Sequence, residues 1–172
     1  MMIVEGEKLK LLDFGSAQHL TAARPAHVGK CGDFVENMAP EILDCKELVP
    51  ETDIWAVGVL TFTMLSGDCP FTSDKESDKE KNIRKGKVKI GRCYTGLSQG
   101  AISFLKSTLC RNAGGRPSGS ECLALPWLQE DSRAKLRHSA VSFQTSKLRS
   151  YLKQREKHRK LLCTQHKVLL PE

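Results

Sequence analysis

The sequence lacks several features that would place a protein in a class at once. The seven cysteines are irregularly spaced, with no C-x-x-C pair and no cysteine–histidine cluster, so neither a zinc site nor a disulfide scaffold is indicated. No internal repeat is visible, and the N-terminal segment 1–8 is too short and too acidic for a signal peptide. The uncharged run 54–65 is shorter than the about 20 residues of a membrane span. These absences favour a cytoplasmic protein with reduced thiols and no membrane partner.

Positive charge is concentrated at the end of the chain. Residues 133–172 hold eleven Lys/Arg and two Asp/Glu, a net charge of +9, whereas residues 1–132 carry −2. A nucleic-acid-binding domain usually carries its basic face on the fold itself, so the pattern disfavours a nucleic-acid partner. We predict a near-neutral domain over 1–130, followed by a linker and a basic helical tail over 131–172.

The stretch 53–65 predicts the helix around which the rest of the chain packs. Apolar residues cover every side of its helical projection, and a helix that is apolar all round is expected to be buried on all sides. Asp53 can cap the first turn by accepting backbone N–H groups, and Ser66-Gly67 offers a natural stop.

Shorter patterns predict the other elements. Apolar runs at 1–4 and 9–12, separated by a Gly-containing turn, are typical of a β-hairpin. The highly charged segment 76–85 predicts a solvated helix, and Ser98 can cap a helix with one apolar face. A capping-box pattern begins at Ser118. The fold class that follows is mainly α, with a short N-terminal β-hairpin.

Five short motifs follow one another along the chain: D-F-G at 13–15, A-P-E at 39–41, D-I-W-x-x-G-V at 53–59, G-R-P at 115–117 and P-W-L at 126–128. Each is weak alone, and an isolated D-F-G is often an ordinary strand-ending turn. In this order they resemble the C-terminal lobe of a eukaryotic protein kinase. The L-S-G-D-C-P-F turn and the S-F-Q-T-S-K-L-R-S-Y-L tail are similar to the calmodulin-dependent kinase group, and within it to the giant muscle kinases of the obscurin and striated muscle preferentially expressed type.

The resemblance implies roles for individual residues. Asp13, with Phe14 and Gly15, would belong to the nucleotide site: Asp13 would ligate Mg²⁺, and Phe14 would pack into the spine that links the two lobes of a kinase. Glu41 and Arg116 would form a buried ion pair that pins the activation segment. The alternative for this pair is two separate surface charges.

The residues that perform the family's chemistry are not found. No G-x-G-x-x-G, V-A-I-K or H-R-D occurs, so no catalytic residue is assigned. Asp53, which in the family hydrogen-bonds the catalytic-loop backbone, and Trp55 are expected to be structural. Residues 1–4 resemble the strand that directly follows the catalytic loop. We therefore expect ATP and Mg²⁺ in an intact parent but not in this chain alone, whose missing partner would be the N-terminal lobe in a longer protein.

Two functions remain open at this point. The chain is either part of a serine/threonine kinase or a non-catalytic, pseudokinase-like interaction module of a sarcomeric scaffold. The family usually has a Thr that contacts the catalytic Asp where this sequence has Phe34, and residues 28–38 contain no Ser, Thr or Tyr. Both departures put the activity of the parent in doubt. Resemblance alone suggests association with the sarcomere.

The basic tail also has two interpretations. A helix candidate over 145–163 places Leu148, Tyr151 and Leu152 on one side. These residues either pack on the lobe, with the charges solvated, or bind calmodulin. Lys157-His158 stands about where myosin light chain kinases place a Trp anchor, which favours packing on the lobe.

Overall fold

The computed structural model describes residues 2–4, 8–11, 14–21, 26, 35–71, 73, 75–86, 88, 97–129 and 148–157. The described part is mainly helical, as the sequence predicts. Two strands, β1 (Met2–Val4) and β2 (Lys8–Lys10), come first. The helices are α1 (Pro40–Leu43), α2 (Glu51–Ser66), α3 (Glu76–Lys85), α4 (Gln99–Thr108), α5 (Gly119–Ala124), α6 (Pro126–Gln129) and α7 (148–157). Single turns of 3-10 helix lie at Val35–Asn37 and Ala113–Gly115.

The two strands pair antiparallel, with Ile3 opposite Leu9. Strand β2 begins and ends earlier than predicted, because its last residue, Lys10, already lies opposite the first residue of β1. Residues 5–7, where the turn would fall, lie outside the described residues, so the hairpin itself stays a prediction.

Helix α2 begins two residues before the predicted start. Its N-cap is Pro50, which makes no side-chain hydrogen bond, and Asp53 lies within the first turn. The prediction that Asp53 caps the helix is therefore wrong, although a negative charge in this turn is still favoured by the helix dipole. The helix ends as predicted at Gly67, whose φ of 71° is the left-handed conformation that glycine adopts without strain.

One face of α2 is uncovered. Trp55 and Phe62 lie on the buried side, whereas Val57, Leu60 and Met64 are 42%, 37% and 59% exposed. We call these three residues the α2 stripe. The prediction that the helix is buried on all sides is wrong for this stripe. The reason is that no described element packs over it.

The core lies where α2 meets α1, α3 and α4. Its buried members are Ala39, Leu43, Trp55, Val59, Phe62, Phe71, Ile83, Leu105 and Leu109. Helices α2 and α4 approach closely at Gly58, where a Cβ would lie 2.7 Å from Thr108 Oγ1 and 2.9 Å from Leu109 Cδ2. The absence of a side chain at this position is therefore what allows the two helices to touch.

The remaining helices follow the local signals in the sequence. Helix α3 has the predicted bounds, but it is not fully solvated, because Ile83 is buried in the core. Ser98 caps α4 by accepting from the Ala101 N–H, and Ser118 forms the predicted capping box with Glu121. Among the described helices, none is long and apolar enough to cross a membrane.

Candidate functional site

A buried ion pair joins Glu41 in α1 to Arg116, 75 residues later in the chain. Arg116 Nη1 donates to Glu41 Oε1 at 2.7 Å, and Nη2 donates to Oε2 at 2.8 Å. Glu41 is 8% exposed and Arg116 is 5% exposed. This is the pairing that the motif order predicts, and its two parallel hydrogen bonds are the strong geometry for a guanidinium and a carboxylate.

Backbone carbonyls accept the other hydrogen bonds of Arg116. Its Nε donates to Cys110 O at 2.8 Å, Nη1 to Glu51 O at 3.0 Å and Nη2 to Arg111 O at 3.3 Å. With the two bonds to the carboxylate, the five N–H groups of the guanidinium have five acceptors. Arg116 therefore ties α1, the start of α2 and the loop after α4 together at one point.

The local sequence explains how the two partners are presented. Pro40 stands at the first position of α1, where a missing N–H costs nothing and a fixed φ favours the helix, and it leads directly into Glu41. Arg116 follows the 3-10 turn Ala113–Gly115 and is extended, with φ −87° and ψ 146°. Its own N–H donates to Ala113 O at 3.0 Å, which holds the backbone of Arg116 against the turn.

Two aromatic rings complete the site. The Arg116 guanidinium carbon lies 5.0 Å from the centre of the Trp55 ring. Phe71 stacks on Trp55, with the ring centres 5.3 Å apart and the ring planes 7° from parallel. A cation near an aromatic face is stabilised by the ring quadrupole, more so away from water. The sequence pattern does not indicate this role for Phe71, although the residue lies in the L-S-G-D-C-P-F turn. We call Glu41, Arg116, Trp55 and Phe71 the anchor.

The charge state of Glu41 follows from its surroundings. Burial raises the pKa of the carboxyl group, since it disfavours the charged form. Hydrogen bonds from Arg116 and from the backbone, together with the guanidinium charge, more than offset this effect, so the pKa lies below its ordinary value. Glu41 is therefore a carboxylate at neutral pH, and the site is a true ion pair.

The residues predicted for the nucleotide site are placed only in part. Asp13 lies outside the described residues. Phe14 is 68% exposed, and its carbonyl accepts from the Ala17 N–H at 3.0 Å, so the motif continues into a turn. Gly15 is also exposed. Packing of Phe14 into a spine between two lobes stays a prediction for a longer protein, because it needs residues that are not among these 172.

The described residues do not form a metal site. They contain no group of three or more His, Cys, Asp or Glu side chains that could hold an ion. Mg²⁺ prefers an octahedral shell built from carboxylates, water and phosphates. Asp13 would supply one such ligand, and the second protein ligand of the kinase family, an Asn of the catalytic loop, is not in the sequence. The residues present therefore do not fit a Mg²⁺ site by themselves.

Asp53 and Trp55 lie close in the chain but in opposite environments. The Asp53 side chain is exposed near the start of α2, whereas Trp55 is fully buried in the anchor. The predicted hydrogen bond from Asp53 to a catalytic-loop backbone needs residues outside this sequence and stays a prediction.

A helical lobe whose A-P-E segment is fastened to a distant arginine over a buried tryptophan defines the C-terminal lobe of a protein kinase. The family model described as "Protein kinase domain" matches residues 1–128, and the chain belongs to that family.

Known relatives agree with the motifs. The chain is 33% identical over 173 residues to the striated muscle preferentially expressed protein kinase of Danio rerio, covering 99% of this chain and 6% of that protein. It is 33% identical to a death-associated protein kinase of Caenorhabditis elegans, covering 71% of this chain and 8% of the relative. It is 30% identical to the smooth muscle myosin light chain kinase of Gallus gallus, covering 74% of this chain and 7% of that protein. The chain thus spans less than a tenth of each of these three relatives.

A solved structure agrees as well. The twitchin kinase region from C. elegans superposes with a TM-score of 0.72 at 25% identity, covering 90% of this chain and 26% of that one. The resemblance to calmodulin-dependent and giant muscle kinases, drawn from the motifs, is confirmed by these matches.

Proposed function

We propose that this chain is part of a serine/threonine kinase domain of the calmodulin-dependent type, and that the 172 residues alone neither bind nucleotide nor transfer phosphate. The observation that supports the kinase assignment is the anchor. It fastens the end of the activation segment to the helical lobe by a buried ion pair, and a kinase needs that segment in place to present its substrate.

The proposed lack of activity rests on the chemistry of phosphoryl transfer. That reaction depends on positioning and electrostatic stabilisation by a Gly-rich loop, a lysine, metal ions and a catalytic base. In an intact parent, bound Mg·ATP would supply the phosphoryl group, and Asp13 would hold a metal ion there. In this chain, Glu41 and Arg116 hold the segment, but none of the phosphate-binding motifs is present.

Calorimetric titration of the chain with Mg·ATP tests the proposal. We expect no binding in the micromolar range, and no change on Asp13→Ala. A complete kinase domain measured alongside should bind. Micromolar affinity that is lost in Asp13→Ala, or transfer of phosphate to a protein substrate, would contradict the proposed inactivity while leaving the family assignment intact.

A second candidate is a non-catalytic interaction module in a sarcomeric scaffold. It is supported by Phe34 at a position where the family usually has Thr, by the lack of hydroxyl residues in 28–38, and by the muscle protein among the relatives. The sequence of a longer transcript containing this chain discriminates between the two. A catalytic-loop H-R-D, a phosphate-binding lysine and a Gly-rich loop favour the enzyme, and their absence favours the module. Localisation of a tagged chain to sarcomeres in muscle cells tests the scaffold part.

The tail supports a further proposal of calmodulin binding through 145–163. Helix α7 covers 148–157 within that range, and Leu152 is exposed beside the basic residues Arg149 and Lys153. An exposed apolar side chain among positive charges is what a calmodulin target presents. A peptide of residues 145–163 should bind calmodulin only with Ca²⁺, and Leu152→Asp should weaken binding. Equal binding with and without Ca²⁺ would contradict the proposal.

A further inference from the structure

Helix α3 carries two basic side chains that reach acids on the segment 35–44. Lys79 Nζ lies 3.1 Å from Glu36 Oε1 in the first 3-10 turn. Arg84 pairs through Nη1 with the carboxylate of Asp44, just after α1, and donates through Nη2 to Leu43 O at 2.7 Å. The second contact of Arg84 occupies a carbonyl at the C-terminal end of α1, where a cation is also favoured by the helix dipole.

The pair of Lys79 and Glu36 differs from an ordinary surface ion pair in burial and in reach. The side chains of Lys79 and Glu36 are only 22% and 28% exposed, and 43 residues separate them in the chain. Lys81 and Asp78 lie at the same 3.1 Å, but both belong to α3 and are 65% and 45% exposed. The first pair therefore joins two parts of the fold, whereas the second joins neighbouring turns of one helix.

Buried apolar side chains accompany the two charge pairs. Ile83 is buried in the core together with Leu43 of α1, and Val35 of the 3-10 turn is buried as well. Helix α3 thus contacts residues 35–44 through the two charge pairs, and both elements contribute side chains to the buried core.

The sequence of the activation segment offers few residues that could be phosphorylated. Kinase loops are often ordered by a phosphate that binds arginines. Between Asp13 and Glu41 the only hydroxyl side chains are Ser16 and Thr21, and none lies within 28–38. No Ser, Thr or Tyr lies within 28–44, so the segment that α3 contacts has no hydroxyl of its own to phosphorylate.

We propose that Lys79 and Arg84 form a charge clamp, with Glu36, Asp44 and the Leu43 carbonyl as its partners, that keeps residues 35–44 docked on the lobe without phosphorylation. Since the clamp is ionic and partly exposed, salt weakens it. The inference concerns how the chain holds its own segment, so it stands whether or not the parent protein is an active kinase.

Hydrogen exchange of the full 172-residue chain, at concentrations below the onset of association, tests the clamp. The reporters are the amides of Met38, Asp44 and Lys46, which donate to Val35 O, Pro40 O and Glu41 O. Lys79→Gln and Arg84→Gln should each speed their exchange roughly fivefold, as expected for a partly exposed ion pair worth about 1 kcal/mol. About 0.5 M NaCl should act in the same direction on the wild type and less on the variants.

Matched variants distinguish the clamp from a general loss of stability. Lys81→Gln removes the pair inside α3 and should leave the reporters unchanged. The charge swap Glu36→Lys with Lys79→Glu should restore the wild-type rates. The amide of Leu109, which donates to Leu105 O in the core, reports global opening and should not respond.

Three results would overturn the proposal. The first is equal effects of Lys79→Gln and Lys81→Gln. The second is acceleration of the Leu109 amide to the same degree as the reporters, because the segment would then open only with the whole lobe. The third is loss of protection after phosphatase treatment of the protein isolated from cells, because a phosphate would then order the segment.

Discussion

Arg116 and Glu41 meet inside the protein through two parallel hydrogen bonds of 2.7 and 2.8 Å. Both side chains are charged, and neither has appreciable contact with water. Each therefore depends on the other, and the consequences of removing one partner are large.

Loss of the guanidinium should strongly destabilise the chain. Arg116→Leu leaves Glu41 buried and charged without its partner, and breaking such a pair typically costs about 3–5 kcal/mol. Arg116→Lys should also be destabilising, because an ammonium cannot satisfy a fork of acceptors. The free energy of unfolding in urea measures both. Arg111→Ala, at a neighbouring exposed position, is the control and should cost little. A loss of less than about 1 kcal/mol in Arg116→Leu would contradict a buried ion pair.

The pH dependence of stability should carry the signature of Glu41. Its pKa is lowered in the folded state, so the stabilisation is fully present above the ordinary pKa of a glutamate and is lost as pH falls through the folded value. We expect the free energy of unfolding to decline on acidification below about pH 4.3. In Glu41→Gln this part of the decline should be absent. An unchanged acid profile in that variant would show that Glu41 is not the group responsible.

Gly58→Ala should destabilise the contact between α2 and α4. Alanine is the better helix former, but the new Cβ would lie 2.7 Å from Thr108 Oγ1, a fully buried atom that already donates to Phe104 O. Overpacking of this kind typically costs about 1–3 kcal/mol. Gly119→Ala is the matched control, since nothing lies within 4 Å of its Cβ. Thermal unfolding compares the two, and equal melting temperatures would argue against close helix packing at Gly58.

The α2 stripe should cause the isolated chain to associate. Three neighbouring apolar side chains are uncovered on one helix face, and such patches promote association. We expect oligomers on size-exclusion chromatography and binding of a hydrophobic dye. Leu60→Gln with Met64→Gln should reduce both, whereas Leu128→Gln, at an exposed position on α6, should change them less. A wild-type chain that is monodisperse, binds no dye and unfolds cooperatively would prove this wrong.

The thiols should differ in reactivity. Burial raises the pKa of Cys69 to about 11, whereas Cys45 is exposed in the turn after α1. Since the thiolate is the reactive form, Cys45 should alkylate much faster than Cys69 at pH 8. Burial also raises the pKa of Cys122, so it should be slower than Cys45 too. Peptide mass spectrometry after timed alkylation measures the order. The difference should vanish in denaturant, and equal rates in the native chain would contradict the burial of Cys69.

Local signals in the sequence determined the parts of the fold that depend on neighbouring residues. The bounds of α3, the cap at Ser98, the capping box at Ser118 and the stop at Gly67 follow from backbone hydrogen bonding within a few residues. The sequence pattern predicts the start of α2 two residues late, because the N-cap is Pro50, which makes no side-chain hydrogen bond and so gives no cap signal.

The ion pair between Glu41 and Arg116 was predictable for a different reason. No periodicity connects two residues that are 75 positions apart, and only the resemblance of the motif order to protein kinases joined them. The resemblance did not predict a role for Phe71. A Phe in a turn has no special meaning in the sequence, and its stacking on Trp55 is seen only in the folded structure.

Tertiary structure alone decided which surfaces are covered and which charges outside the motifs meet. The periodicity of α2 indicates an apolar surface on every side, but coverage depends on which neighbours pack against it, and the stripe at Val57, Leu60 and Met64 has none among the described elements. Likewise, the sequence of α3 predicts a solvated charged helix. Packing of Ile83 into the core nevertheless brings Lys79 to Glu36, which lies 43 positions earlier in the chain. Sequence determines local conformation through short-range hydrogen bonding and sterics, whereas distances between remote side chains are set by how the elements pack.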